Sequence, residues 1–167
     1  MTEPFTYNKA FSRNIGWVTS GEQAVLRGKR VAIAGMGGVG GSHLLTLARL
    51  GIGAFNIADF DAFDIANINR QVGATVPNIG KPKVEVLAAM ALEINPELDI
   101  KVFPKGVDGA NLPDFLMGST CMSTAWTFLP LPRARLPSQP ARASAYPPSR
   151  QHRSAWGLRC STSCPGR

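Results

Sequence analysis

The chain has 167 residues, enough for one domain with a hydrophobic core, and its net charge of +7 is unevenly distributed. Residues 1–118 contain 11 basic and 11 acidic side chains, whereas residues 119–167 contain seven arginines and no acid. The sequence has no run near the ~20 apolar residues of a membrane helix, no N-terminal signal pattern, and no cysteine before Cys121. We therefore expect a cytoplasmic protein with no membrane partner and no disulfide framework in residues 1–118.

The first predicted elements alternate between helix and strand. The sequence SGEQ at 20–23 has the spacing of a capping box and predicts a short helix that ends near Gly28. The apolar run VAIAG at 31–35 is typical of a buried parallel strand. Apolar residues at helical spacing predict a helix at 38–50, and AFNIADF at 54–60 predicts a second strand.

The alternation continues after a predicted functional loop at residues 61–79. Apolar residues at helical spacing predict a helix at 83–94, DIKVF at 99–103 predicts a third strand, and residues 111–118 predict a short helical turn. Strands that alternate with helices indicate an α/β fold with a Rossmann-like, doubly wound parallel sheet. We expect the chain to supply only the N-terminal half of such a sheet.

The residues after Gly118 do not continue this pattern. A fourth strand is expected there, but STCMSTAWTFLPLPRARLP shows no β pattern. We predict a nucleotide-binding domain at 1–118 and a disordered or irregular tail, not a folded domain, at 119–167. An arginine-rich tail can bind nucleic acid, but its poverty in aliphatic residues favours simple disorder, so no nucleic-acid partner is expected.

A glycine-rich turn lies between the first predicted strand and the following helix. The sequence GMGGVGG at 35–41 satisfies G-x-G-x-x-G, a pattern that permits a tight turn and a close approach to phosphate at a helix N-terminus. Asp59 ends the second predicted strand, where a Rossmann site places an acid on the ribose hydroxyls. A nicotinamide-dependent oxidoreductase shares these features, so this alternative stays open.

The loop DFDAFDIANINRQ at 59–71 contains more polar groups than a dinucleotide site requires. Arg70, together with Lys83 in the following GKPK, suits a triphosphate because guanidinium and ammonium groups offset its charge. The amides of Asn67 and Asn69 are suited to phosphate oxygens or ribose groups without adding charge. The predicted ligand is therefore ATP.

The series GxGGVGG, DFD, NxNRQ and GKPKV closely resembles the ThiF/MoeB/HesA family, related to the ubiquitin-activating enzymes, over about residues 8–118. The resemblance implies an enzyme that binds ATP and Mg²⁺ and adenylates the C-terminal glycine of a ubiquitin-like or sulfur-carrier protein, releasing pyrophosphate. Some members instead activate a small-molecule or tRNA-linked carboxylate. The family usually forms homodimers, and Arg13 matches an arginine that reaches the partner subunit's nucleotide.

Further roles follow from the same resemblance. Arg70 and Lys83 would be the catalytic groups that stabilise charge, with Lys83 near the α- and β-phosphates. Asn67 and Gln71 would face the triphosphate with Arg70, Asp59 would hold the ribose, and Asp61 would shape the loop. The phosphates would be cradled by five residues of the glycine turn: Gly35, Gly37, Gly38, Val39 and Gly40.

The sequence departs from the family after Gly118. Family members continue with a strand ending in an Asp-x-x-Asp element that holds Mg²⁺, and no such metal ligand is found here. We interpret residues 119–167 as the product of a frame slip near Gly118. If each codon's third base begins the next codon, permitted codons turn GSTCMSTAWTF into VDVYVDGLDF, which restores both strand and element. The chain would then be truncated and nearly inactive, or act as a non-catalytic nucleotide-binding subunit.

Overall fold

The computed structural model describes residues 4–124, and the prediction of a tail beyond Thr124 lies outside the described residues. Four strands and five helices follow one another in an order that matches the predicted alternation. In chain order they are α1 (Tyr7–Ala10), α2 (Ser20–Arg27), β1 (Arg30–Ala34), α3 (Gly38–Leu50), β2 (Ala54–Ala58), α4 (Lys83–Ile94), β3 (Asp99–Phe103), α5 (Leu112–Leu116) and β4 (Cys121–Thr124).

The strands form one parallel sheet in the order β3-β2-β1-β4. The chain moves outwards from β1 to β3 and then returns to place β4 on the other side of β1. In a doubly wound sheet, ligands bind beyond the carboxyl ends of the strands, at the point where the strand order reverses. That point lies between β1 and β4, so a ligand is expected at the turn after β1. The parallel sheet with helices between its strands confirms the predicted α/β fold.

Side chains alternate between the two faces of the sheet and bury a core on each. Val31, Ile33, Phe55 and Ile57 pack in a large cluster that includes apolar residues of α3 and α4. The intervening alanines of β1 and β2 pack in a smaller cluster around Phe115 of α5. Helices therefore cover both faces, which explains why the strands read as continuous apolar runs.

The absence of a fourth strand was a wrong prediction, because β4 pairs in parallel with β1 from Val31↔Cys121 to Ala34↔Thr124. Asn56 of β2 holds the segment that leads to it, since its Nδ2 donates to the carbonyl of Phe115 at 2.7 Å and to that of Met117 at 3.3 Å. The N–H of Thr120 then donates to the carbonyl of Arg30 at 2.8 Å. Backbone pairing and a buried asparagine thus form a strand from a sequence without β preference.

The N-terminus of α2 differs from the predicted capping box by one residue. Thr19 is the N-cap, its Oγ1 accepts the N–H of Glu22 at 3.2 Å, and the Glu22 carboxylate accepts the N–H of Thr19 at 2.8 Å. The N–H and the hydroxyl of Thr19 both donate to the Glu22 carboxylate, and these two hydrogen bonds hold the pKa of Glu22 below its ordinary value. The predicted helix ends were correct, because Gly28 is the C-cap of α2 and Gly51, whose φ is +95°, is the C-cap of α3. Among residues 4–124, none of the helices combines the length and apolar character that a membrane span requires.

The contact between α3 and β1 generates a first prediction. A Cβ at Gly40 would overlap the carbonyl oxygen of Gly35. We expect Gly40→Ala to lower the free energy of unfolding by about 3 kcal/mol or more, because a backbone atom cannot move aside. Gly21→Ala, at an exposed position of α2, is the matched control and should be neutral or stabilising. Urea denaturation of both variants checks this, and equal effects would contradict it.

Candidate nucleotide-binding site

The glycine turn lies at the carboxyl end of β1 and leads directly into α3. Gly35 has a φ of +90°, which favours glycine, and Gly37 is the N-cap of the 13-residue helix α3. The first N–H groups of such a helix, together with its dipole, attract an anion. The five residues predicted to cradle phosphates are therefore brought together: Gly35, Gly37, Gly38, Val39 and Gly40.

The loop after β2 passes against this turn. A Cβ at Gly38 would lie 3.2 Å from the carbonyl oxygen of Arg70, and one at Gly37 would lie 3.8 Å from Nε2 of Gln71. The exposed Arg70 guanidinium donates through Nη1 to the carbonyl of Ala66 at 2.9 Å and to Oδ1 of Asn69 at 3.0 Å. The structure therefore brings Arg70 and Gln71 to the turn, with Asn69 beside Arg70. The missing Cβ atoms of Gly37 and Gly38 let the loop approach the turn closely.

Gln71 provides a test of whether a ligand fits. It is buried, and within residues 4–124 its Oε1 has no hydrogen-bond partner. A buried acceptor without a donor is costly, so a buried polar group of this kind calls for water or a ligand. In ATP the donors that could meet this oxygen are on the ribose and the adenine, whereas the Gln71 Nε2 group beside Gly37 is the one suited to a phosphate oxygen, so the two ends of the amide are compatible with a nucleotide.

Asp59 joins the glycine turn to the loop after β2. It is 5% exposed, its Oδ2 accepts the N–H of Met36 at 2.6 Å, and its Oδ1 accepts the N–H of Asp61 at 2.8 Å. Both carboxylate oxygens are therefore engaged by backbone N–H groups, and the contact of Asp59 with ribose hydroxyls stays a prediction. This role of Asp59 as a link was not predicted, because the sequence does not show which backbone groups will meet the carboxylate.

Asp61 and Lys83 form an ion pair at the edge of the site. Lys83 Nζ donates to Asp61 Oδ2 at 2.9 Å, and the lysine side chain is 6% exposed whereas the aspartate is 52% exposed. Lys83 is the first residue of α4, so the end of this helix fixes where its side chain starts. The pair is connected to the glycine turn through Asp59, which accepts the N–H of Asp61 and the N–H of Met36.

Asn67 has a structural role in addition to the predicted contact with phosphate. Its Oδ1 accepts the N–H of Asp64 at 3.1 Å, while Oδ1 of Asp64 accepts the N–H of Ala66 at 2.8 Å, which closes a capping box around the 3-10 turn Ile65–Asn67. The carbonyl of Asn67 also accepts the N–H groups of Arg70 and Gln71. This turn orients the segment that carries the arginine.

Arg13 lies away from the other predicted site residues. It belongs to a 3-10 turn, Ser12–Asn14, and Asn14 Nδ2 donates to the carbonyl of Leu50 at 3.0 Å, at the C-terminal end of α3. A 13-residue helix is about 20 Å long, so Arg13 is remote from the glycine turn of its own chain. Its contribution to a partner subunit's site stays a prediction.

Within residues 4–124 there is no group of three or more His, Cys, Asp or Glu side chains that could hold a metal ion.

The site does include one contact that the sequence did not indicate, because β4 was not predicted. Oγ of Ser123 lies 2.9 Å from Nδ1 of His43, between β4 and the first turns of α3.

Comparison with known proteins identifies the family. Residues 11–122, more than half of the chain, match the profile of the ThiF family. The chain belongs to the ThiF family. The resemblance drawn from the glycine turn and the DFD, NxNRQ and GKPKV motifs is thereby confirmed.

Several proteins are similar to this ThiF-family chain. It is 39% identical over 90 residues to the tRNA threonylcarbamoyladenosine dehydratase of Bacillus subtilis (strain 168), which covers 54% of this chain and 35% of that protein. It is 34% identical over 92 residues to the probable adenylyltransferase/sulfurtransferase MoeZ of Mycobacterium tuberculosis, covering 55% and 24% respectively. The chain thus spans about a third or less of the length of these curated relatives.

A solved structure connects the fold with ATP. The Escherichia coli tRNA N6-threonylcarbamoyladenosine dehydratase TcdA in complex with ATP superposes with a TM-score of 0.70 at 28% identity, over 75% of this chain and 52% of that chain. Relatives of this ThiF-family chain therefore include adenylyltransferases, and one homologue binds ATP. Family membership favours the triphosphate interpretation of the loop over a nicotinamide site.

The link made by Asp59 generates a second prediction. We expect Asp59→Asn to lower the free energy of unfolding by about 1–3 kcal/mol, because one N–H would lose its charged acceptor in a buried position. Amide exchange at Met36 and Asp61 should accelerate in this variant. Asp64→Asn is the matched control, since asparagine also caps helical turns well. Unchanged exchange at both amides would show that Asp59 does not hold the turn.

Proposed function

We propose that this ThiF-family chain binds ATP and that its fold serves the adenylation of a carboxylate. The observation that carries the proposal is the passage of the Arg70 backbone directly over Gly38, which places a guanidinium-bearing loop on a helix N-terminus built for phosphate. A neutral or dinucleotide ligand would not need this additional basic group. Lys83 adds a second cation at the same edge.

The reaction requires positioning and charge stabilisation rather than a covalent helper. A carboxylate oxygen attacks the α-phosphorus, the bond from that phosphorus to the bridging oxygen breaks, and pyrophosphate leaves with the electron pair. The N–H groups of the glycine turn would hold the phosphates, and Arg70 and Lys83 would offset negative charge that shifts to the leaving group. Mg²⁺, when bound, would neutralise phosphate charge, and since residues 119–167 hold no acid, we propose that its carboxylate ligand belongs to the frame-corrected chain described below.

The carboxylate that we propose is the C-terminal glycine of a ubiquitin-like or sulfur-carrier protein. The similarity to MoeZ, a probable adenylyltransferase/sulfurtransferase, supports this choice. A tRNA-linked carboxylate is the second candidate, because the Bacillus subtilis relative is a tRNA threonylcarbamoyladenosine dehydratase. In a homodimer, Arg13 would approach the nucleotide of the partner subunit, which agrees with its distance from the turn of its own chain.

The choice between ATP and NAD is a third prediction. We expect ATP to raise the thermal unfolding midpoint more than NAD at equal concentration, because the ligand with the lower Kd stabilises the folded state more. Arg70→Ala should weaken ATP binding about 10- to 100-fold, the range for a charge-assisted hydrogen bond, with little effect on NAD. Arg49→Ala, at an exposed position in the last turn of α3, is the matched control. Greater stabilisation by NAD would contradict the proposed function.

We also propose that the reading frame slips near Gly118, which is a fourth prediction. In the alternative frame, the aspartate encoded across codons 123 and 124 would end a strand at the position of β4. Thr124 pairs with Ala34, the residue before Gly35, so that aspartate would lie beside the glycine turn, and this register supports the proposal. Sequencing the coding DNA across codons 115–130 checks it, and codons that do not permit VDVYVDGLDF would refute it.

The proposed frame slip also predicts how the chain binds ATP and exchanges pyrophosphate. The present chain should bind ATP weakly and exchange labelled pyrophosphate into ATP hardly at all, whereas the frame-corrected chain should show exchange once its carboxylate substrate is supplied. Binding without exchange in both chains would instead favour a non-catalytic nucleotide-binding subunit.

A further inference from the structure

Lys83 occupies a position where a positive charge is unfavourable for folding. Its side chain is 6% exposed, so its ammonium has lost most of its hydration. It is also the first residue of the 12-residue helix α4, where the helix dipole disfavours cations. An apolar side chain of similar length would avoid both costs. A charged residue at this position therefore suggests that its ammonium serves an anionic ligand.

Asp61 offsets these costs with a carboxylate that the backbone holds in place. Its N–H donates to Asp59 Oδ1 at 2.8 Å, and its carbonyl accepts the N–H of Lys83 at 3.0 Å. With both backbone groups engaged, only side-chain rotation is left to vary. The carboxylate then accepts from Lys83 Nζ at 2.9 Å.

A chain of hydrogen bonds therefore connects the glycine turn to the lysine. Met36 donates to Asp59, Asp59 accepts from Asp61, and Asp61 accepts from the ammonium of Lys83, with distances of 2.6, 2.8 and 2.9 Å. Because each link is a charged group bound to backbone or to another charge, the position of the ammonium is tied to the position of the turn. A flexible four-carbon side chain would otherwise sample many rotamers.

From this geometry we infer that Asp61 is a positioning residue for Lys83 and not a ligand of the nucleotide. It holds the ammonium in one position at the edge of the site. The inference deepens the proposed function and rests on it, since it assumes that phosphates of ATP occupy the turn. It gives the expectation that Asp61 shapes the loop a specific consequence, the placement of the Lys83 ammonium.

A role in stability alone does not account for the pair. Partly exposed ion pairs contribute little, and a buried pair is often no more stable than apolar groups of the same shape. Asp61 is half exposed, so its attraction for Lys83 is partly screened by solvent. The double variant Asp61→Asn/Lys83→Met should therefore unfold at a temperature close to that of the wild-type chain.

A double-mutant cycle in the full chain tests the inference, and it is the fifth prediction. We expect Asp61→Asn to weaken ATP binding about 10-fold, and Lys83→Met to weaken it by at least as much. The double variant should bind ATP as Lys83→Met does, because Asp61 acts only through the lysine. Adenosine, which lacks phosphates, should bind all four chains within about twofold. Isothermal titration with ATP and with adenosine gives each value.

Controls and contrary outcomes are separable. Glu97→Gln breaks an ion pair with Arg27 away from the site and should leave both affinities unchanged. If Asp61→Asn alone does not fold, the same substitution in the Lys83→Met background still decides the matter, since it should not change ATP affinity. Additive losses, an equal loss of adenosine binding, or tighter ATP binding in Asp61→Asn would overturn the inference. A wild-type chain that binds adenosine but gains nothing from the phosphates would overturn the proposed function itself.

Discussion

The site depends on a buried carboxylate that holds two loops together. Asp59 accepts hydrogen bonds from Met36 in the glycine turn and from Asp61 in the loop after β2, and it is almost inaccessible to solvent. Hydrogen bonds to an ionised acceptor in such surroundings are strong and well oriented. The glycine turn and the loop after β2 therefore keep one relative position, although they belong to different crossovers of the sheet.

The sheet gives this carboxylate its location. Parallel strands of similar length bring the residues that follow them to one edge, and the absence of a Cβ at Gly40 lets α3 approach β1 closely. With β4 on the far side of β1, the turn lies at the reversal of the strand order. Apolar packing on both faces holds the strands in place, and this fixes the positions of the polar residues that follow β1 and β2.

Much of this arrangement could be predicted from the sequence. Apolar periodicity gave α4 its two ends, and the glycine motif located both the turn and the start of α3. Arg70 and Gln71 were expected at the phosphates because of their residue types and their place in the NxNRQ motif, and they do lie at the turn. These features are local, so spacing and residue type carry enough information to place them.

The parts that sequence reasoning missed depend on contacts between distant segments. β4 has almost no β preference of its own and exists because β1 offers a row of hydrogen-bonding groups and Asn56 holds the preceding turn. The pairing of Asp61 with Lys83 joins residues 22 positions apart through the geometry of a loop. Neither a propensity nor a motif describes such contacts, which only the assembled sheet creates.

The balance of charge at the site explains what kind of ligand it requires. Asp59 and Asp61 offset Arg70 and Lys83, so these four side chains together contribute no net charge toward a triphosphate. The N-terminus of α3, whose first turn carries no compensating acid, therefore adds its N–H groups and dipole to the local contacts that Arg70 and Lys83 would make with the phosphates. A helix terminus and two partly offset cations are a modest anchor for a triphosphate, and for this reason the proposed function includes Mg²⁺ beside the phosphates.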